Sequence, residues 1–314
     1  MSHIEIFDSR YARLKAVDWD FTDASQDSLA SIHPYPARFI PDIPRELISG
    51  LGCDKGAVIL DPFCGSGTTL LEAQRAGFES VGIDLNPIAC LISSVKTKEL
   101  PPEFLPVAHD VYEQAKNTFD GYVDIPTIPN LDHWFKPDVQ KALSSLLTHI
   151  DEQSDVNLKN ALKLALSSII VRVSNQESDT RYAAIDNNYT ANDVLESFLT
   201  ACNKIHEAKK RNSVNLECSK IFNQDILSVL ASDFDKPVGL VITSPPYPNP
   251  QLVDFKQVKS SGDAFLIATA MKYDLTVITE ENKTGQKKIP FVCNSLGVPC
   301  VDILGLCEKE GWSF

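Results

Sequence analysis

Two short runs in the chain hold residue types that could do chemistry. The first is Asp61-Pro-Phe-Cys-Gly65-Ser-Gly67-Thr-Thr69. The apolar stretch Ala57–Asp61 reads as a strand ending in an acid, and Thr68–Ala76 reads as a helix. Glycines 65 and 67 between them let a ligand approach the backbone before the helix begins. A second strand, Glu79–Asp84, ends in another acid, where a carboxylate suits the two hydroxyls of a ribose. A bare Gly-x-Gly is explained by an ordinary turn in most chains. Strand, helix and later acid together point to a nucleoside cofactor. No Gly-Lys-Ser/Thr follows, so this is not a phosphate-binding Walker loop.

The second run is Thr243-Ser-Pro-Pro-Tyr247-Pro-Asn249, leaving the apolar strand Val238–Thr243. Its bland reading is a proline-rich turn. Two adjacent prolines also fix a rigid backbone and aim carbonyls in one direction. Ser244 before them and Tyr247 after them make a slot with acceptors for an amino group and a ring for stacking. A base flipped out of a duplex is read by such parts.

The elements that must position these runs are those of an α/β chain. Residues 1–30 read as an arm or irregular lead-in, and Pro34, Pro36, Pro41 and Pro44 punctuate a loop before a helix start at Pro44–Ile48. Residues 31–97 form the half around the glycine loop. Residues 98–215 read as a mainly helical insertion, with helices at Val139–Ile150, Leu158–Val173 and Ala191–Lys209 and loops at Pro101, Pro102, Pro106, Pro126 and Pro129. Strand Ser219–Asn223 opens the half around the second run, 216–254. The segment 255–314 alternates helix Asp263–Lys272, strand Leu275–Thr279, strand Val298–Asp302 and helix Ile303–Glu310. The expected fold is a Rossmann-like parallel sheet with a helical insertion.

Composition bounds the classes. Hydrophobic residues at 43% and charged residues at 23% suit a folded globular chain and exclude disorder. Apolar runs such as Ala57–Leu60 and Val238–Ile242 fall far short of the roughly 20 residues of a membrane span. The start MSHIEIFDSR has no apolar core of a secretory signal. Eight cysteines form no Cys-x-x-Cys pair or Cys/His cluster, which argues against zinc and for reduced thiols in a cytoplasm. The net charge of −13 repels DNA at long range. The basic clusters Lys204–Arg211 and Lys283–Lys288 read first as solvated faces.

The Asp-Pro-Phe-x-Gly-Ser-Gly-Thr-Thr run resembles the S-adenosylmethionine-binding motif of amino-directed DNA methyltransferases. Ser244-Pro-Pro-Tyr247 resembles their catalytic motif, in the serine-first form associated with cytosine N4 rather than adenine N6. Ile32-His-Pro-Tyr-Pro-Ala-Arg-Phe39 is similar to a lead-in segment that closes the methionine side of the cofactor pocket. Arg172–Tyr182 is similar to a segment of such relatives. The resemblance covers roughly residues 30–254. It implies a Rossmann-like methyltransferase sheet and S-adenosylmethionine held by Asp61, Phe63, Gly65, Gly67, Thr68, Asp84, Tyr35 and Phe39, with Asp225 near the adenine. Ser244, Pro245, Pro246 and Tyr247 would carry catalysis on double-stranded DNA, and such systems can include a companion restriction endonuclease. The exocyclic nitrogen would attack the sulfonium methyl in line, with no covalent enzyme intermediate. Cys64 then reads as a packing residue.

Other candidates have bland readings beside the functional ones. His33 reads first as a surface hydrogen-bonding group, and His133-Trp-Phe135 as a core-capping aromatic pair before a DNA contact. Arg172, Asp179 and Arg181 suit a substrate cleft or a structural salt-bridge network.

After Asn249 the family pattern fades, and 65 residues (314 − 249) follow. The stretch from Gly262-Asp-Ala-Phe to Gly297-Val-Pro-Cys300 resembles the C-terminal half of a PIN-like nuclease domain, with Asp263 and Glu280 or Glu281 as its acids. The alternative is a segment completing the methyltransferase sheet, with Asp263 as a helix N-cap. We expect a join near Asp254–Ser261, an atypical truncated or fused C-terminus, and no nuclease activity, because so few hard oxygen ligands cannot hold two metals.

Overall fold

The computed structural model describes residues 13–21, 28–35, 39–121, 123–178, 181–212, 219–244, 277–278, 293–295 and 299–301. They fall into two compact units that divide between Ser244 and Pro245.

The first unit is built on a parallel sheet. Its elements in chain order are α1 (Asp42–Leu51), β1 (Val58–Asp61), α2 (Thr68–Arg75), β2 (Ser80–Asp84), α3 (Pro87–Thr97), α4 (Phe104–Thr118), the single turn α5 (Leu131–Trp134), α6 (Pro137–Asp151) and α7 (Val156–Ile169). A hairpin of β3 (Gln176–Ser178) and β4 (Arg181–Ala184) follows, then α8 (Ala191–Arg211), β5 (Ser219–Asn223) and β6 (Val238–Val241). The strand order is β5-β2-β1-β6, with every pairing parallel. The chain therefore steps outward from β1 to β2 to β5, then returns to lay β6 on the other side of β1. That reversal is the topological switch point, and in open parallel sheets ligands bind outside the carboxyl ends of the strands there. The strands are short and apolar because both faces of a parallel sheet are commonly covered; Ile59 and Ile83 are fully buried.

Helices form where local chemistry starts them. Asn86 caps α3 through its side chain on the Ile88 amide, with Pro87 in the first turn. Thr190 and Asp193 form a reciprocal capping box on α8, and Asp155 caps α7. Pro106, read from sequence as a loop residue, stands instead in the first turn of α4, where its missing N–H has no helical partner to lose.

The helices between β2 and β5 do not have a core of their own. Phe104, Val139, Leu146, Leu162 and Phe198 share one buried cluster with Ile92 and Val95 of α3 and Leu71 of α2. Leu29 and Ile32 belong to it too, so the chain around the turn Ser28–Ser31 packs on this core. A smaller cluster of Ile48, Ile59, Ala73 and Ile242 seats α1 and α2 on the sheet. No helix among the described residues is long and apolar enough to cross a membrane.

In the second unit β7 (Val277–Ile278) and β8 (Cys300–Val301) form a two-stranded parallel sheet. They fall within the strands expected at Leu275–Thr279 and Val298–Asp302. The expected helices Asp263–Lys272 and Ile303–Glu310 lie outside the described residues, as do Asp263, Glu280 and Glu281.

Candidate active site

The first run forms a tight loop leaving β1. Gly65 and Gly67 have φ of 48° and 76°, left-handed values that glycine adopts without strain. The Cys64 amide donates to the Ile83 carbonyl (2.9 Å), which ties the loop to the end of β2. Asp84 completes the cradle. Its Oδ2 accepts the Gly65 amide (2.8 Å) and its Oδ1 the Asn86 amide (2.8 Å). Each oxygen keeps a second lone pair, so the carboxylate is oriented without being exhausted. Beside it Leu85 and Ile88 are exposed, as is Phe63.

The two glycines serve different ends. A side chain at Gly67 would meet Ser93 of α3 at 2.7 Å, so that glycine provides close packing of loop against helix rather than room for a ligand. A Cβ on Gly65 would find only the Tyr35 ring, at an ordinary 3.6 Å. Ser93 Oγ also donates to the Gly65 carbonyl (2.7 Å), and Asn223 Nδ2 donates to the carbonyls of Asp84 and Leu85 (3.1 Å each). Sequence reasoning missed both. Asn223 had no local signal, while Ser93 lies at a polar gap on an otherwise buried helix face.

Tyr35 lies against the loop, beside Gly65. Burial, and then the Asp84 charge, push its phenol up to about 12. Phe39 goes elsewhere: it packs on the α1–β1 cluster around Ile48 and Ile59. Thr68 is buried at the start of α2. Asp225 is exposed, and its Oδ1 accepts the Leu227 amide (2.9 Å), capping the 3₁₀ turn Ile226–Ser228. Cys64 is a packing residue, 4% exposed, with Sγ where a side chain on Gly82 would stand, and burial raises its thiol pKa.

The switch point brings the start of the second run, Thr243–Ser244, to the end of β1. The Ile242 amide donates to the Leu60 carbonyl (3.0 Å), carrying the β1–β6 pairing up to the second run. Asp61 is 3% exposed and accepts the Phe63 amide (3.2 Å). Burial raises its pKa, against which the nearby hydroxyls of Thr69 and Thr243 and the Phe63 amide act. Neither hydroxyl closes a hydrogen bond of full geometry. Asp61 is therefore turned into the junction between the two runs. Ser244, directly after Thr243, is half-buried at this edge; Pro245, Pro246 and Tyr247 lie outside the described residues.

His33 is buried, against the expectation of a surface group. Asn175 joins two other candidate segments: its amide donates to the Trp134 carbonyl (2.7 Å) and its Nδ2 to that of His133 (3.2 Å). Phe135 packs on the large core while His133 is exposed. Arg172 is exposed, Arg181 opens β4, and Asp179 lies outside the described residues.

Residues 2–94 match the model of a DNA methylase family, N6_N4, starting before the Ile32–Phe39 segment. Residues 249–314 match a domain of unknown function, DUF4411, which carries no activity with it. The chain is similar to the Type II methyltransferase M.MvaI of Kocuria varians, 29% identical over 236 residues, 68% of this chain and 52% of that protein. It is similar to M.BsoBI of Geobacillus stearothermophilus, 28% identical over 251 residues, 68% and 48% of the two chains. It is 43% identical to M.MjaII of Methanocaldococcus jannaschii over 68 residues, 22% and 13% of the two chains. The chain spans about half the length of the first two of these relatives.

Proposed function

We propose that this chain, whose residues 2–94 match a DNA methylase family, transfers a methyl group from S-adenosylmethionine to the exocyclic amino group of a DNA base, cytosine N4. One observation carries the reading: the sheet lays the ends of β1 and β6 side by side at the switch point, so Asp61 and Thr243–Ser244 meet at one edge.

The residues fit the cofactor. Asp84 would take the ribose hydroxyls on its remaining lone pairs, Gly65 and Tyr35 would bound the methionine side, and exposed Leu85 and Ile88 would cover the adenine. When bound, S-adenosylmethionine supplies an electrophilic methyl on a sulfonium. The protein's part is to make a poor nucleophile competent. The lone pair of an exocyclic amine is delocalised into its ring. Ser244 Oγ and the carbonyl after it accept the amine's two protons as hydrogen bonds and draw its nitrogen toward tetrahedral geometry. Tyr247 stacks on the extruded base. Asp61 acts through the junction it holds.

The serine-first motif favours cytosine; adenine N6 is the runner-up. The Type II relatives support a place in a restriction–modification pair with an endonuclease. The test is transfer of labelled methyl to unmethylated DNA, with Ser244→Ala beside wild type and the product nucleoside identified. We expect N4-methylcytosine, reduced by about 100-fold or more in the variant. N6-methyladenine would replace the base assignment, and no transfer at all would sink the enzyme reading.

A further inference from the structure

The lead-in carries Tyr35 to the glycine loop, and one buried side chain holds that segment in place. His33 is 8% exposed. Its Nδ1 lies 2.7 Å from the Pro34 carbonyl, which can only accept, so Nδ1 carries the proton. Its Nε2, 3.0 Å from Ser167 Oγ, then accepts from that hydroxyl in the neutral ring. The Pro34 carbonyl belongs to the peptide directly before Tyr35. The ring thus fixes the peptide plane that aims Tyr35, and anchors it on α7, an element 134 residues away in sequence.

We propose that His33 is a positioning residue for the cofactor: clasped between Pro34 and Ser167, it holds Tyr35 over Gly65 and so sets the affinity for S-adenosylmethionine. The inference rests on the cofactor reading above and adds a residue and a regulation to it. The charged groups that act on the ring are Lys96 of α3 and Lys204 of α8. Burial lowers the His33 pKa below its usual value of 6.5; the Pro34 hydrogen bond opposes this, and the two cations add to it. A protonated ring would be a buried cation repelled by two others. In the charged ring Nε2–H turns donor to Ser167 Oγ, so acidification below that value weakens the clasp through the cost of burying charge rather than by removing a hydrogen bond.

The experiment is calorimetric titration of the full-length protein with S-adenosylmethionine, alongside thermal unfolding, for wild type, His33→Ala, Ser167→Ala, Tyr35→Ala and the His33→Ala/Tyr35→Ala pair. Losing one buried hydrogen-bonded partner predicts about tenfold weaker binding in each single variant. The double variant should bind no more weakly than Tyr35→Ala alone, because His33 acts through Tyr35. Wild-type affinity should fall on acidification below pH 6.5, and His33→Gln, which cannot be protonated, should flatten that dependence. Ser167→Ala keeps the imidazole but removes its anchor on α7, and reports on the clasp if His33→Ala unfolds. Binding within twofold of wild type in both His33→Ala and Ser167→Ala, or effects of His33 and Tyr35 that simply add, would overturn the inference while leaving the cofactor reading intact. A wild-type protein that binds no S-adenosylmethionine would overturn the cofactor reading itself, and this inference with it.

Discussion

Gly65 and Gly67 share a left-handed backbone but have different neighbours, and only the neighbours tell which substitution is severe. At Gly67 an added methyl meets Ser93 Oγ at 2.7 Å and its Cα at 3.0 Å, on top of the strain of φ +76°. Gly67→Ala should lower stability on the order of 1–3 kcal/mol by chemical denaturation. Gly77 has φ +79° and nothing within 4 Å of an added Cβ. Gly77→Ala should therefore cost only the left-handed penalty, about 1 kcal/mol. Equal losses in the two variants would refute the packing role of Gly67. The need for glycine was legible in the sequence, since a strand-to-helix turn ending in two glycines has few backbone solutions. Ser93, which decides the cost, lies 26 residues further on and carries no local sign of its partner.

Among elements, α1 and α2 are joined by a buried carboxylate. Glu72 accepts from Arg45 (2.8 Å) and from Arg75 (2.5 Å), with Asp42 as the second partner of Arg45. Its burial is tolerated because both its oxygens are paired. At the far end of α8, Lys209 Nζ donates to the carbonyls of Lys96 (2.9 Å) and Lys98 (2.7 Å), covering the end of α3. Burial pulls the Lys209 pKa down to about 8 from 10.5. Between those two values the unfolded chain binds more protons at this site than the folded one, so folding gains stability as pH rises through the window and bears the desolvation of the cation below it. Urea denaturation across about pH 8 to 10.5 should show wild type gaining on Lys209→Met as pH rises. A difference that is flat with pH would show that the ammonium is not desolvated. Helix periodicity marked α8 in the sequence, but a lysine in a basic run reads as solvated until the helix is docked.

For the whole molecule, the question is where charge lies relative to the site. α2 and α3 leave the carboxyl edge of the sheet and end at the opposite edge, and α8 ends there with them: Asn212 accepts from Arg75, and Lys209 caps α3. The exposed Lys210 and Arg211 of the basic run are therefore across the sheet from Ser244. Replacing both with alanine should leave DNA affinity and its salt slope unchanged in a fluorescence titration. A slope reduced by about one or more would put this face on DNA.

Much of this protein was determined by the sequence itself. Alternating strands and helices, the glycine loop with its following acid, and the motif after β6 are local patterns, and local backbone preference and hydrophobic period are enough to produce them. The tertiary structure alone decided which acid holds the glycine loop and which is buried at the β1–β6 junction, since Asp61 and Asp84 both end strands. It also decided that His33 is clasped by Ser167, and that the helices between β2 and β5 share the core of the sheet. Burial and hydrogen bonding between residues far apart in the chain depend on how elements dock, and docking leaves no local mark on the residues that it joins.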